Sequence, residues 1–128
     1  MVSRITIMIM RLLVLVNVIL GIAFWTGHLH SLVGIHMLIG LLVALCLWVL
    51  AGVAAFSRSG NIGLAIVAFI WAIIMVALGL RQETLLVGSL HWIIEVLHLV
   101  VGLIALGFGE MIAGRYRRLN APAMQSTR

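Results

Sequence analysis

The chain has 128 residues, of which 65% are hydrophobic and only 9% charged, with a mean hydropathy of +1.32. A soluble domain carries roughly 25% charged residues, so this mixture cannot build a water-facing surface, and the bilayer is its natural solvent. The net charge of +5 comes from eight arginines, most of them near the termini; the excess of basic residues in cytoplasmic segments accounts for them without a nucleic-acid partner.

A membrane helix needs about 20 apolar residues, so four passes and their turns consume nearly the whole chain as one domain. The first span is expected from about Ile5 to Trp25. Arg4 and Arg11 give it the look of a signal peptide, but the apolar run continues past the usual length and reaches no small-residue cleavage site. It reads as a retained helix. Thr26 to Ser31 forms the first turn, and the second span runs from about Leu32 to Phe56. Ser57-Arg58-Ser59-Gly60-Asn61 is the second turn, Ile62 to Leu80 the third span, and Arg81 to Thr84 the third turn. The fourth span is expected to start between Leu85 and Ser89 and to end near Glu110 or Ala113. Arg115, Arg117 and Arg118 then open a basic tail over residues 115–128, with Pro122 in a disordered polar stretch. Cys46 lies alone in an apolar segment and can form no intrachain disulfide.

Seven arginines fall on the N-terminus, second turn and tail, against Arg81 alone on the other two turns. That bias predicts an up-down-up-down bundle in the inner (plasma) membrane with both termini cytoplasmic. A short repeat supports pairing of the halves. Span two holds Ile35-His36-Met37-Leu38-Ile39-Gly40-Leu41, and span four holds Leu97-His98-Leu99-Val100-Val101-Gly102-Leu103. Such a repeat relates the two helices by an axis along the membrane normal.

All five histidines (His28, His30, His36, His91 and His98) fall toward the outer side, and three lie inside spans together with Glu95. A charged group at the helix centre costs at least about 2.5–3.5 kcal/mol, so these side chains should face the bundle interior. At helical spacing His91, Glu95, His98, Gly102, Ala105 and Gly109 share one stripe, and His36, Gly40, Val43 and Leu47 share another. A glycine one turn below a histidine leaves room for a flat ring. Haem iron accepts imidazole on both faces, and bundle cores host cofactors between facing helices.

The architecture, with His36, His91 and His98, resembles the small four-helix b-type membrane cytochromes of the cytochrome b561 and superoxide oxidase-like group. The resemblance implies a haem b protein in electron transport, with a quinone as lipid-soluble redox partner. Those families commonly hold two haems near opposite membrane faces. With no histidine in the inner half, at most one haem is expected here unless two crowd the outer side. The repeat pairs His36 with His98. A depth ruler favours His91, because His36 lies 22 residues before Arg58, while His91 and His98 lie 24 and 17 before Arg115. At 1.5 Å per residue the offsets are about 3 Å and about 7.5 Å. His36, His98 and His91 are therefore the candidate iron ligands, Gly40 and Gly102 the ring-accommodating positions, and Arg81 a partner for a haem propionate. Glu95 is the candidate carrier of a coupled proton.

Other side chains have simpler expectations. Asn17 is expected as interhelical hydrogen-bonding glue, Trp25, Trp92 and Tyr116 as interfacial anchors, and Met37 and Met75 as packing. Ala68 and Ala72 mark a close helix contact. Two alternatives to haem stand beside it: a zinc-like metal site built from His36, His91 and Glu95, with three ligands and an open position, or a cofactor-free subunit of a homodimer or larger membrane complex. A di-iron carboxylate site lacks enough acids, and a monomeric pore is disfavoured by inner halves that read as apolar.

Overall fold

The computed structural model describes residues 1–57 and 61–119. It is all helical among these residues, with four long helices: α1 (Val2–Trp25), α2 (Val33–Phe56), α3 (Ile62–Arg81) and α4 (His91–Leu119). In hydrocarbon every backbone N–H and C=O must be satisfied within its own segment, which selects helices for these apolar runs. At 1.5 Å per residue the shortest, α3 with 20 residues, is about 30 Å long and matches the bilayer core. All four are long and apolar enough to cross a membrane, and their outward faces carry exposed Leu, Ile, Val and Phe suited to lipid.

Local chemistry sets the helix ends. Past Trp25 the chain turns on Gly27, whose φ of +81° suits a residue with no Cβ. Gly27 N donates to Phe24 O (2.9 Å) and His28 N to Ala23 O (2.8 Å), which satisfies carbonyls orphaned at the end of α1. A short 3-10 turn, His30–Leu32, then leads into α2. At the start of α3 the Asn61 side chain accepts from Leu64 N at 3.0 Å, as a capping residue should. The second turn's Arg58, Ser59 and Gly60, and the tail with Pro122 and Arg128, lie outside the described residues.

Two boundaries differ from the sequence expectation. Helix α4 begins later, at His91, because Leu86 (φ +46°) and Gly88 (φ +105°) adopt left-handed backbone that no helix continues through. It also runs on to Leu119, the last described residue, so Arg115, Arg117 and Arg118 are helical. Arginine is a good helix former, and its long stem lets a helix run on into the interface.

Helices α2 and α4 each pack against all three others, forming the short diagonal of the bundle. Chain neighbours run in opposite directions: the end of α1 meets the start of α2 at Gly21 and His36, and the end of α3 meets α4 at Gly79 and His98. The half of the bundle nearer the arginines is solid. Met10, Leu47, Leu50, Ala68, Ala72 and Ala105 are all fully buried there, and a Cβ on Gly109 would come within 2.9 Å of Met10 Sδ. Ala68 and Ala72 thus do form a close contact face. Two indole N–H groups lace the helices, Trp48 to Phe69 O (3.2 Å) and Trp71 to Val101 O (3.0 Å). Cys46 is a free thiol half-buried beside the core.

That solid half is not wholly apolar, contrary to the sequence reading. Arg11 on α1 makes a two-pronged ion pair with Glu110 on α4, Nε to Oε1 and Nη2 to Oε2 at 2.7 Å.

Candidate cofactor site

At the other end of the bundle the helices part around a cavity of about 410 Å³, partly open at its edges. Its volume falls in the range of small-molecule and cofactor pockets, roughly 300–1,000 Å³. All four helices line it.

His36, in the first turn of α2, and His98, in the second turn of α4, reach into this space from opposite corners of the short diagonal. Their ring centroids are 6.2 Å apart, with an interplanar angle of 49°. Each ring lies against a glycine of the preceding helix. A Cβ on Gly21 would sit 3.8 Å from His36 Cε1, and one on Gly79 only 3.0 Å from His98 Cε1. The same His-on-Gly relation therefore occurs once in each helical hairpin. Phe24 presents an edge contact to His36 (5.4 Å, 71°) and is itself stacked by His30 (6.1 Å, 23°).

Three buried polar atoms in this region have no hydrogen-bond partner: His36 Nδ1, His98 Nδ1 and Asn17 Oδ1. The Asn17 main chain lies near the His36 ring, outside hydrogen-bond geometry for Nδ1. An unpartnered buried polar atom costs about 1–3 kcal/mol. Three of them around one cavity mark a place where the fold has accepted that cost. Asn17 thus lines the cavity with its side-chain acceptor unused.

The remaining candidates are distributed around these two rings. Gly40 and Gly102, one turn below His36 and His98, both line the cavity, and a Cβ on Gly102 would meet nothing within 4 Å. His91 lies nearer the mouth, its Nδ1 donating to Leu85 O at 3.1 Å, and Glu95 is half-buried on the wall between His91 and His98. Arg81 is exposed at the end of α3 and does not line the cavity, whereas its neighbours Gln82 and Glu83 do. Met37 and Met75 border the space, as does the exposed Trp25, while Trp92 is exposed at the same end.

The depth ruler misleads because Arg115 is not a helix end. The ring centroids of His36 and His98, 6.2 Å apart, put the two side chains at one level directly. Among the described residues, no three of His, Cys, Asp or Glu come together as a metal-binding group, so His36, His91 and Glu95 do not converge as a zinc-like triad. No protein-family model, curated protein or solved structure matches the chain.

Proposed function

We propose that this protein is a haem b-binding membrane protein, in which His36 and His98 would hold the iron, in the manner of the small b-type membrane cytochromes it resembles. The relation between these two rings carries the reading. The two imidazoles face each other across the cavity with centroids 6.2 Å apart, so both would be within reach of one iron atom. A porphyrin supplies the other iron ligands itself, so haem needs only two side chains from the protein. A catalytic zinc needs three. That difference favours haem over the zinc-like alternative, since the cavity offers a facing pair and no triad.

The group would supply one-electron chemistry in a mainly apolar enclosure. His36 and His98 would hold it, Gly21 and Gly79 leave their rings room, and Gly40 and Gly102 keep the cavity wall clear below them. Arg81, exposed at the end of α3, is the nearby cation for a propionate. Glu95, on the cavity wall, is the group through which a proton would follow the electron. The electron donor would be a membrane-dissolved quinol, and the acceptor would dock at the histidine end. With both termini cytoplasmic in the inner membrane, that end faces outward.

The test is an absorption spectrum of the detergent-purified protein from haem-replete cells. A reduced spectrum with a Soret band and a sharp α-band is expected, and its absence would end the reading. Reporter fusions at Arg118 and near His28 should read cytoplasmic and external, and the reverse would invert the proposed orientation.

A further inference from the structure

The arginine end holds a second binding feature. Of the chain's three acidic residues, Glu83 and Glu95 belong to the histidine end and only Glu110 lies toward the arginines. Glu110 is already engaged by Arg11. Arg4 on α1 and Arg115, Arg117 and Arg118 on α4 are all exposed, and among the described residues none of the four forms an ion pair. This end therefore carries a net positive charge that the protein does not neutralise.

The charge is not spread over a featureless rim. A notch of about 20 Å³ opens where the end of α2, the start of α3 and the end of α4 meet. Ser57, Asn61, Arg115 and Tyr116 supply its polar edge, and Leu64, Ile112 and Leu119 its apolar wall. A single water needs about 10–15 Å³, so the open notch seats one or two oxygen atoms of a larger group. A cation and a hydroxyl above an apolar wall, at the arginine-rich ends of helices apolar enough to cross a membrane, match a phosphodiester with its acyl chains alongside. Basic pockets between membrane helices recognise anionic headgroups in this way.

We infer that the notch bounded by Ser57, Asn61 and Arg115 binds the phosphate of an anionic phospholipid, with Arg117 and Arg118 adding to the attraction. It lies at the opposite end of the bundle from the cavity, and its ligand does not depend on what the cavity holds.

The experiment follows the thermal unfolding midpoint of the full chain in dodecyl maltoside. Phosphatidylglycerol is expected to raise the midpoint saturably, phosphatidylcholine and inorganic phosphate to leave it unchanged. Arg115→Gln should weaken the half-saturating phosphatidylglycerol level about fivefold, the effect of about 1 kcal/mol per arginine near an anionic surface. Arg4→Gln, remote from the notch, should weaken it less than twofold. Ser57→Val, which fills the notch and keeps every charge, should also weaken it, and serves if Arg115→Gln does not fold. Equal stabilisation by phosphatidylcholine, full stabilisation by inorganic phosphate, or equal losses in Arg4→Gln and Arg115→Gln would overturn the site.

Discussion

His36 and His98 stand level with each other across the short diagonal of the bundle, ring centroids 6.2 Å apart and each Nδ1 buried without a partner. Two buried Nδ1 atoms without a partner in one cavity are difficult to explain as packing. At Gly79 a Cβ would crowd His98 at 3.0 Å, whereas at Gly21 it would meet His36 at an ordinary contact distance of 3.8 Å.

This geometry separates the histidines experimentally. His36→Ala and His98→Ala should each abolish the six-coordinate haem spectrum or convert it to a five-coordinate one. His91→Ala should leave it intact, because His91 is turned to the Leu85 carbonyl. Loss of the spectrum in His91→Ala, with retention in His98→Ala, would exchange their roles.

Glycine substitutions test the seating of the rings. Alanine at Gly79 would put Cβ 3.0 Å from His98 Cε1, so the ring must yield by a few tenths of an ångström; valine would drive it out of place. Haem retained per protein should fall from wild type to Gly79→Ala to Gly79→Val. Gly102→Ala puts a methyl into the open cavity where the porphyrin would lie, and should lower retention by a smaller step than Gly79→Val. Wild-type retention in both variants would show that neither glycine makes room for the group.

The four spans were legible because twenty-residue apolar runs have few other uses. The facing of His36 and His98 was suggested by their repeated spacing to Gly40 and Gly102. Their actual glycine neighbours, Gly21 and Gly79, were not, since helices that are apolar all round carry no stripe to fix their rotation. Asn17 was visible only as a polar residue in an apolar run, and its cavity role depends on how α1 turns toward α2. The Arg11–Glu110 pair escaped for a different reason. Each residue sits near a basic terminus and reads as interfacial when its helix is considered alone; the pair exists only once α1 and α4 are placed together.

The indole of Trp71 ties α3 to the Val101 carbonyl, one turn from His98. Trp71→Phe keeps most of the apolar volume and removes the donor. Interhelical hydrogen bonds in membranes average about 0.6 kcal/mol, so the free energy of unfolding in mixed micelles should drop by roughly that amount. A drop several times larger would mean that the ring's packing against Phe108, with centroids 5.7 Å apart, dominates.

The Arg11–Glu110 pair is a test of what charge costs at this depth. Arg11 lies nine residues, about 13.5 Å, beyond the start of α1 at Val2, and meets Glu110 of α4 at that depth. Antiparallel neighbours bring equal depths together, and the two-pronged contact follows. Removing one partner leaves the other charge unpaired beside lipid, whereas removing both leaves none. Arg11→Leu and Glu110→Leu should therefore each lower the thermal midpoint in detergent by more than the double substitution does. Both side chains are partly exposed, and Arg11 has a stem long enough to snorkel toward the headgroups. Glu110 has no such reach. Arg11→Leu, which strands the glutamate, should be the more damaging single change. If the double variant is instead the least stable of the three, the pair contributes net stability, and its retention by the fold needs no further role.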